Sequence, residues 1–374
     1  MAEANSHPAP ESNAAALAGK GVSSWFGSGA VVAVIVLILG RLALEPLRSL
    51  PHFDVHGMDA YGAVETYVLK NRTSHAPVEV ACFGSSQSVF GILPEEVAHG
   101  LGEPEDRVLN LGTAGGTPFD MWSLVRRNPE RFKDLHLAVV EINPFVLNKG
   151  LENDDRLLLS ISQKASLEER LMISNRPMRC RQVADLVVPL YSVRRSLRSL
   201  FLNILDPSPG NDVCPCPEQR IHPAAGWAVD KASNRKDRER QTTSAQTVAK
   251  RFFGTWKVSH LQDESLRHLL AWFHEHHVPV VLHQMPIHPE VAHIIESEPK
   301  FHKNYVSFSQ YIESLSPSPA AVIRIMGTAD CGASESDLAD RTHLNQLGAG
   351  IYSRFLAEKI KTGPVGPLVV PQGG

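Results

Sequence analysis

Apolar residues fall into two patterns along this chain. Near the N-terminus, Gly21 to Gly40 carries no charge, and Gly29 to Gly40 is continuously apolar or small. Lys20 and Arg41 bracket that stretch, and Trp25 and Phe26 stand where an interfacial aromatic belt would lie. About 20 residues at 1.5 Å rise span a hydrocarbon core, so residues 21–44 are expected to form a single transmembrane anchor. A cleaved signal peptide fits less well, because Arg41, Leu42 and Leu44 follow where small residues would be needed.

The second pattern begins near residue 78. Short β-branched runs at Val78–Phe83, Arg107–Asn110, Leu137–Ile142, Val278–His283 and Ala320–Ile325 are separated by segments with helical spacing. Strands alternating with helices predict a parallel sheet covered on both faces. The rhythm breaks at about 150–255. There Ser166–Ile173 and Val183–Leu205 look helical, and Pro207 to Arg240 is polar and rich in Pro, Asn, Lys, Arg and Asp. This reads as an insertion, either a lid or substrate-binding element over the C-terminal strand ends or a solvated decoration. The expected organisation is a disordered tail at 1–20, the anchor at 21–44, a linker at 45–76, an α/β domain at 77–362 and a tail at 363–374.

Composition narrows the classes of function. A net charge of −3 with 43% hydrophobic and 21% charged residues suits a globular core and gives no polyanion footprint. Arg194, Arg195 and Arg198 cluster without any nucleic-acid-binding motif, so no nucleic-acid partner is expected. The first strand is followed by no G-x-G-x-x-G and no P-loop lysine, which argues against nucleotide binding. Cys82 lies in an apolar run and reads as a buried small hydrophobe. Cys180, Cys214, Cys216 and Cys331 are disulfide candidates if the domain lies in an oxidising compartment. Cys214-Pro-Cys216 lacks a second pair at ligand spacing, and His274-Glu-His-His277 with His283 and His288 does not match H-E-x-x-H. No metal or cofactor is expected. Arg41, Arg48, Lys70 and Arg72 outnumber Lys20 and the N-terminus, a bias against export, whereas the cysteines favour an outside domain.

Two segments carry candidate chemistry. After the first strand, Phe83-Gly84-Ser85-Ser86-Gln87-Ser88 offers a tight turn, exposed serines and a helix start with free N–H groups. Near the C-terminus, Asp340-Arg341-Thr342-His343 precedes a helical pattern, and an Asp and a His three apart can share one site. Taken alone, the first is more often a helix cap than a nucleophile, and the second is by default a surface pair or cap.

Together and in this order, the two segments resemble the SGNH (GDSL-like) hydrolases. The resemblance covers about residues 78–360, with the insertion unmatched. It implies a three-layer α/β/α, flavodoxin-like fold with a five-stranded parallel sheet. It also implies a catalytic triad of Ser86, His343 and Asp340. Asn110-Leu-Gly-Thr-Ala-Gly115-Gly116 resembles the family's second block, which implies an oxyanion hole formed by the N–H groups of Ser86 and Gly115. Asn143, which follows the third strand, is carried over as a further oxyanion donor. Two departures stand out: Ser85 replaces the usual Asp of G-D-S and competes with Ser86 as nucleophile, and Val140-Glu-Ile-Asn143 replaces the usual Gly-x-Asn-Asp. The chain is similar to membrane-anchored SGNH-like proteins that accompany bacterial cell-surface polymer acylation. That similarity implies a serine esterase or O-acyltransferase acting on acetyl or other acyl esters of an extracellular polysaccharide or another small ester. It also favours an extracytoplasmic C-terminal domain. The alternative is a catalytically silent SGNH-like scaffold that binds a glycan or an assembly partner.

Overall fold

The computed structural model describes residues 22–48, 53–54, 57–58, 76–113, 115–153, 155–187, 219–221, 228–230 and 244–369. Five parallel strands form the main sheet: β1 Val80–Phe83, β2 Val108–Asn110, β3 Leu137–Glu141, β4 Val280–His283 and β5 Ala321–Ile323. Their spatial order is β2-β1-β3-β4-β5. Each expected strand is present, in the 2-1-3-4-5 arrangement of doubly wound α/β sheets. Val80 pairs with Val108 on one side and with Leu137 on the other, so β1 is an interior strand.

Successive side chains of a strand point to opposite faces, which divides the core in two. Ala81, Phe83, Ala138, Val140 and Leu282 pack on one face, and Val80, Cys82, Leu137, Val139 and Val281 on the other. Both faces are buried, which is why these strands read as unbroken apolar runs rather than alternating ones.

The helices named below are α1 Val22–Arg48, α2 Ser86–Gly91, α3 Pro94–Leu101, α4 Pro118–Arg127, α5 Asp155–Lys164, α6 Leu167–Leu171, α7 Arg176–Val187, α8 Ala245–Phe253, α9 His260–Glu275 and α10 Gln346–Thr362. α4, α8 and α9 cover the first face, and α3 and α10 the second. Local chemistry sets their ends. Thr117 and Asp120 form a reciprocal capping box around Pro118, and the Asn345 side chain accepts from Gly348 N–H at 3.0 Å to start α10.

The insertion contributes α5, α6 and α7 and a small core of its own, with Leu157, Ile161 and Ile173 packed against Phe119 and Leu261. Arg170 is fully buried there. It donates to Gln182 O at 2.6 Å and lies 3.9 Å from Asp185, which compensates a charge removed from water. Ser166 caps α6, the helix found where Ser166–Ile173 was expected to be helical. The helix expected from Val183 instead begins at Arg176 and is described only as far as Val187.

Side chains of α1 are described for residues 31–44, where Val31, Val32, Val36, Ile38, Leu39 and Leu42 are exposed. Among the described residues, no helix is long and apolar enough to cross a membrane. Most of the expected 45–76 linker, the tail at 1–20, Cys214 and Cys216 lie outside the described residues. The disulfide expectation fails for the two remaining candidates, because Cys180 and Cys331 are both free. Cys331 is buried and spends its thiol on Thr328 O at 3.1 Å, while Cys180 is exposed on α7.

Candidate active site

The Ser-Ser turn sits at the C-terminal end of β1, the end at which open α/β sheets build their sites. Gly84 is required there by close approach. A Cβ on it would lie 2.0 Å from Ser88 Oγ and 2.5 Å from Glu141 Oε2. Beyond Gly84 the two serines separate. Both border an open pocket, but Ser85 is the N-cap of α2, is 3% exposed and has its hydroxyl bound to Glu141, whereas Ser86, the first residue of the helix, has its hydroxyl beside His343. The competition between them is thus resolved by their partners, Glu141 for the Ser85 hydroxyl and His343 for that of Ser86.

Ser86 Oγ lies 2.9 Å from His343 Nε2, and His343 Nδ1 lies 2.8 Å from Asp340 Oδ2. With Asp340 accepting, Nδ1 carries the proton and Nε2 is left to accept from the serine hydroxyl. The other Asp340 oxygen receives the backbone N–H groups of Thr342 at 2.7 Å and His343 at 2.9 Å. Burial works against ionisation of Asp340, but the hydrogen bond and charge of His343 and these two amides outweigh it. They hold the carboxyl well below the usual range. Phe90 stands edge-on to the imidazole with ring centroids 5.7 Å apart, and Gln87 Nε2 donates to Thr342 O at 2.7 Å, tying the β1 turn to the 340–343 loop.

Ser86 and Gly115 both line the pocket, and among the described residues neither backbone N–H has an acceptor. Gly115 has φ +74°, a left-handed conformation that glycine adopts without a Cβ penalty. Asn143 also lines the pocket, but its expected role as a donor is not met. Its Nδ2 group is spent on Gln87 Oε1 and on Glu141 Oε1 at 3.2 Å, while its Oδ1 caps Phe145 N–H at 2.8 Å. Pro144 starts a short helix at this point, and a residue before such a start is recruited as its cap.

Glu141 was not singled out by the sequence, although a carboxylate inside an apolar strand was a visible signal. It is 2% exposed and five donors converge on it. Oε2 accepts from Ser85 N–H at 2.8 Å, Ser88 N–H at 3.1 Å and Ser88 Oγ at 2.6 Å. Oε1 accepts from Ser85 Oγ at 2.7 Å and from Asn143. Beside it, His283 is wholly buried. Its Nδ1 lies 2.8 Å from Tyr352 Oη, which itself donates to Gln284 O at 2.9 Å, and its Nε2 has no partner among the described residues. Burial pushes the His283 imidazole down to about 4, with the charge of Glu141 opposing. Burial likewise pushes the Cys82 thiol up to about 12, in keeping with a small hydrophobe.

The pocket holds about 340 Å³ and opens between these residues and the face of α8 that carries Val248, Arg251 and Phe252. Leu151 and Leu157, from the insertion, line the same space. The described part of the insertion therefore walls the pocket. Among the described residues, one trio brings metal-ligating atoms within 4.8 Å of one another, Glu79, Glu103 and His136. It lies at the N-terminal ends of β1 and β3, opposite the pocket, and Arg107 already ion-pairs with Glu79.

No protein-family profile matches the chain, and no curated protein matches its sequence.

Proposed function

We propose that this chain is a membrane-anchored serine esterase or O-acyltransferase that works through an acyl-enzyme on Ser86. One geometry carries the reading: a hydroxyl at 2.9 Å from an imidazole whose other nitrogen is held at 2.8 Å by a carboxylate, all at the edge of an open pocket. His343 takes the proton of Ser86 as Oγ attacks an ester carbonyl, and Asp340 stabilises the imidazolium that forms. The N–H groups of Ser86 and Gly115, without acceptors among the described residues, receive the developing oxyanion. His343 then returns the proton to the leaving alcohol, and water or a sugar hydroxyl takes the acyl group. No resident metal or organic group enters this cycle.

The resemblance to SGNH-like surface enzymes supports acetyl esters of an extracellular polysaccharide as substrate. The exposed apolar side chains of α1 support an anchor at 21–44, and the resemblance supports a catalytic domain outside. Hydrolysis of p-nitrophenyl acetate by the full-length protein in detergent, beside Ser86→Ala, tests the chemistry. Activity lost in the variant sustains it, and equal activity in both refutes it. The silent-scaffold reading is favoured by one observation, the commitment of the Asn143 amide to Gln87 and Glu141 rather than to the pocket. A folded protein without activity on any ester would select it.

A further inference from the structure

Arg251 stands in the pocket wall with its guanidinium carbon 4.3 Å from the centroid of the Phe145 ring. α8 holds it there. Val248, Arg251 and Phe252 share the face of the helix that lines the pocket, while Ala249 and Phe253 are buried in the core behind them. The ring beneath is fixed as well. Phe145 N–H is bound by Asn143 Oδ1 at 2.8 Å, and the preceding Pro144 carbonyl accepts the Trp256 indole N–H at 3.0 Å.

The other charged side chains lining the pocket are already engaged. Asp340 is bound by His343, and Arg341 is paired with Glu290 at 2.6 Å. Arg251 has no carboxylate or hydrogen-bond acceptor among the described residues, only the π contact. A guanidinium positioned by an aromatic ring keeps its N–H fork for a planar oxyanion, which it meets with two parallel hydrogen bonds.

We infer that Arg251 is an anion-recognition residue, and that the preferred substrate is an ester whose alcohol portion carries a carboxylate. This rests on the acyl-transfer reading and narrows its substrate class from acyl esters in general to acidic ones. Arg251 would hold the carboxylate while the ester carbonyl lies at Ser86.

The test compares 4-acetoxyphenylacetate, which is anionic, with 4-methylphenyl acetate, a neutral ester of similar leaving group. Both are assayed with the full-length protein, Arg251→Ala and Arg251→Lys, folding being checked by circular dichroism. The native enzyme is expected to favour the anionic ester in kcat/KM by about tenfold or more at low salt, with the preference shrinking as salt rises. Arg251→Ala should bring the ratio of the two kcat/KM values close to one, and Arg251→Lys should restore part of it. A ratio unchanged in Arg251→Ala, in an enzyme that hydrolyses both esters, overturns the inference and leaves the acyl-transfer chemistry standing. If neither ester is hydrolysed, that chemistry fails instead. The anion site is then read from equilibrium binding of 4-hydroxyphenylacetate against 4-methylphenol. Selective binding that Arg251→Ala abolishes sustains the site, and equal binding of the two compounds overturns it.

Discussion

The Glu141 carboxylate receives both the backbone N–H and the hydroxyl of Ser85, at 2.8 and 2.7 Å, and so anchors the turn from which Ser86 projects. Strand β3 thereby fixes the orientation of a residue at the end of strand β1. The neighbouring serines acquire opposite tasks, one tied to the core and one facing the pocket.

The first prediction separates those tasks. Ser86→Ala is expected to lower kcat for p-nitrophenyl acetate by about 10³-fold or more, and His343→Ala by a similar factor, because each removes a member of one proton-transfer unit. Ser85→Ala removes a cap and one of five donors to Glu141, so its main effect is on stability, of about 1 kcal/mol. Urea denaturation beside the kinetic assay reads both. A catalytic loss in Ser85→Ala as deep as in Ser86→Ala would assign the nucleophile to the wrong serine.

Glu141→Gln is expected to be more damaging than its size suggests. A carboxamide places an N–H₂ group against donors, so at least one buried N–H or O–H of Ser85 or Ser88 loses its acceptor, at a cost of about 1–3 kcal/mol. Thermal unfolding should shift downward, and kcat should fall as Ser86 loses its fixed position. Gly84→Ala should act in the same direction, since its Cβ would fall on the Glu141 and Ser88 side chains. Unaltered melting of both variants would show that this network does not hold the turn.

Asp340→Asn should keep the loop but lose the carboxylate that selects the Nδ1–H tautomer of His343. A drop in kcat of about 10²–10⁴-fold is expected. The folded pKa of Asp340 is depressed, so its stabilising contribution is present above the unfolded carboxylate value, near 4, and is lost as pH falls below it. The stability gap between the native protein and Asp340→Asn should therefore be constant from neutral pH to about 5 and narrow only in stronger acid. Exposure of the Asp340 side chain to solvent keeps that gap small. Chemical denaturation at several pH values measures it, and a gap that closes already between pH 7 and 5 contradicts the assignment.

His283 predicts a different window. Its folded pKa is lowered to about 4, so between that value and the unfolded one near 6.5 the unfolded chain binds a proton that the folded protein does not. Stability attributable to this residue is complete above about 6.5 and falls with pH down to about 4. His283→Gln should flatten the loss of unfolding free energy between pH 7 and 5 relative to the native protein. A steeper slope in the variant would mean that the buried imidazole is charged in the native state.

Much of this was legible along the chain. The β-branched runs at 78–83, 107–110, 137–142, 278–283 and 320–325 announced the five strands, because a strand buried on both faces must be apolar throughout. Gly84 and the serines after it, and the Asp340-x-x-His343 spacing, were likewise visible, since turn chemistry and local hydrogen bonding act over a few residues. Pairing is another matter. Nothing in Ser85-Ser86 says which hydroxyl faces solvent until Glu141, more than fifty positions away in sequence, claims one of them. The amide of Asn143, expected to donate to an oxyanion in the pocket it lines, is drawn to Gln87 and Glu141 for the same reason. Cys180 and Cys331 stay unpaired because the fold places one on an exposed helix and the other in the core. Arg251 beside Phe145 belongs to this second kind too, a contact made only when the helix closing the insertion packs against the end of the sheet. Local propensity and burial periodicity are written residue by residue, whereas the partners of polar groups are chosen by long-range packing, which alone decides which of them are removed from water together.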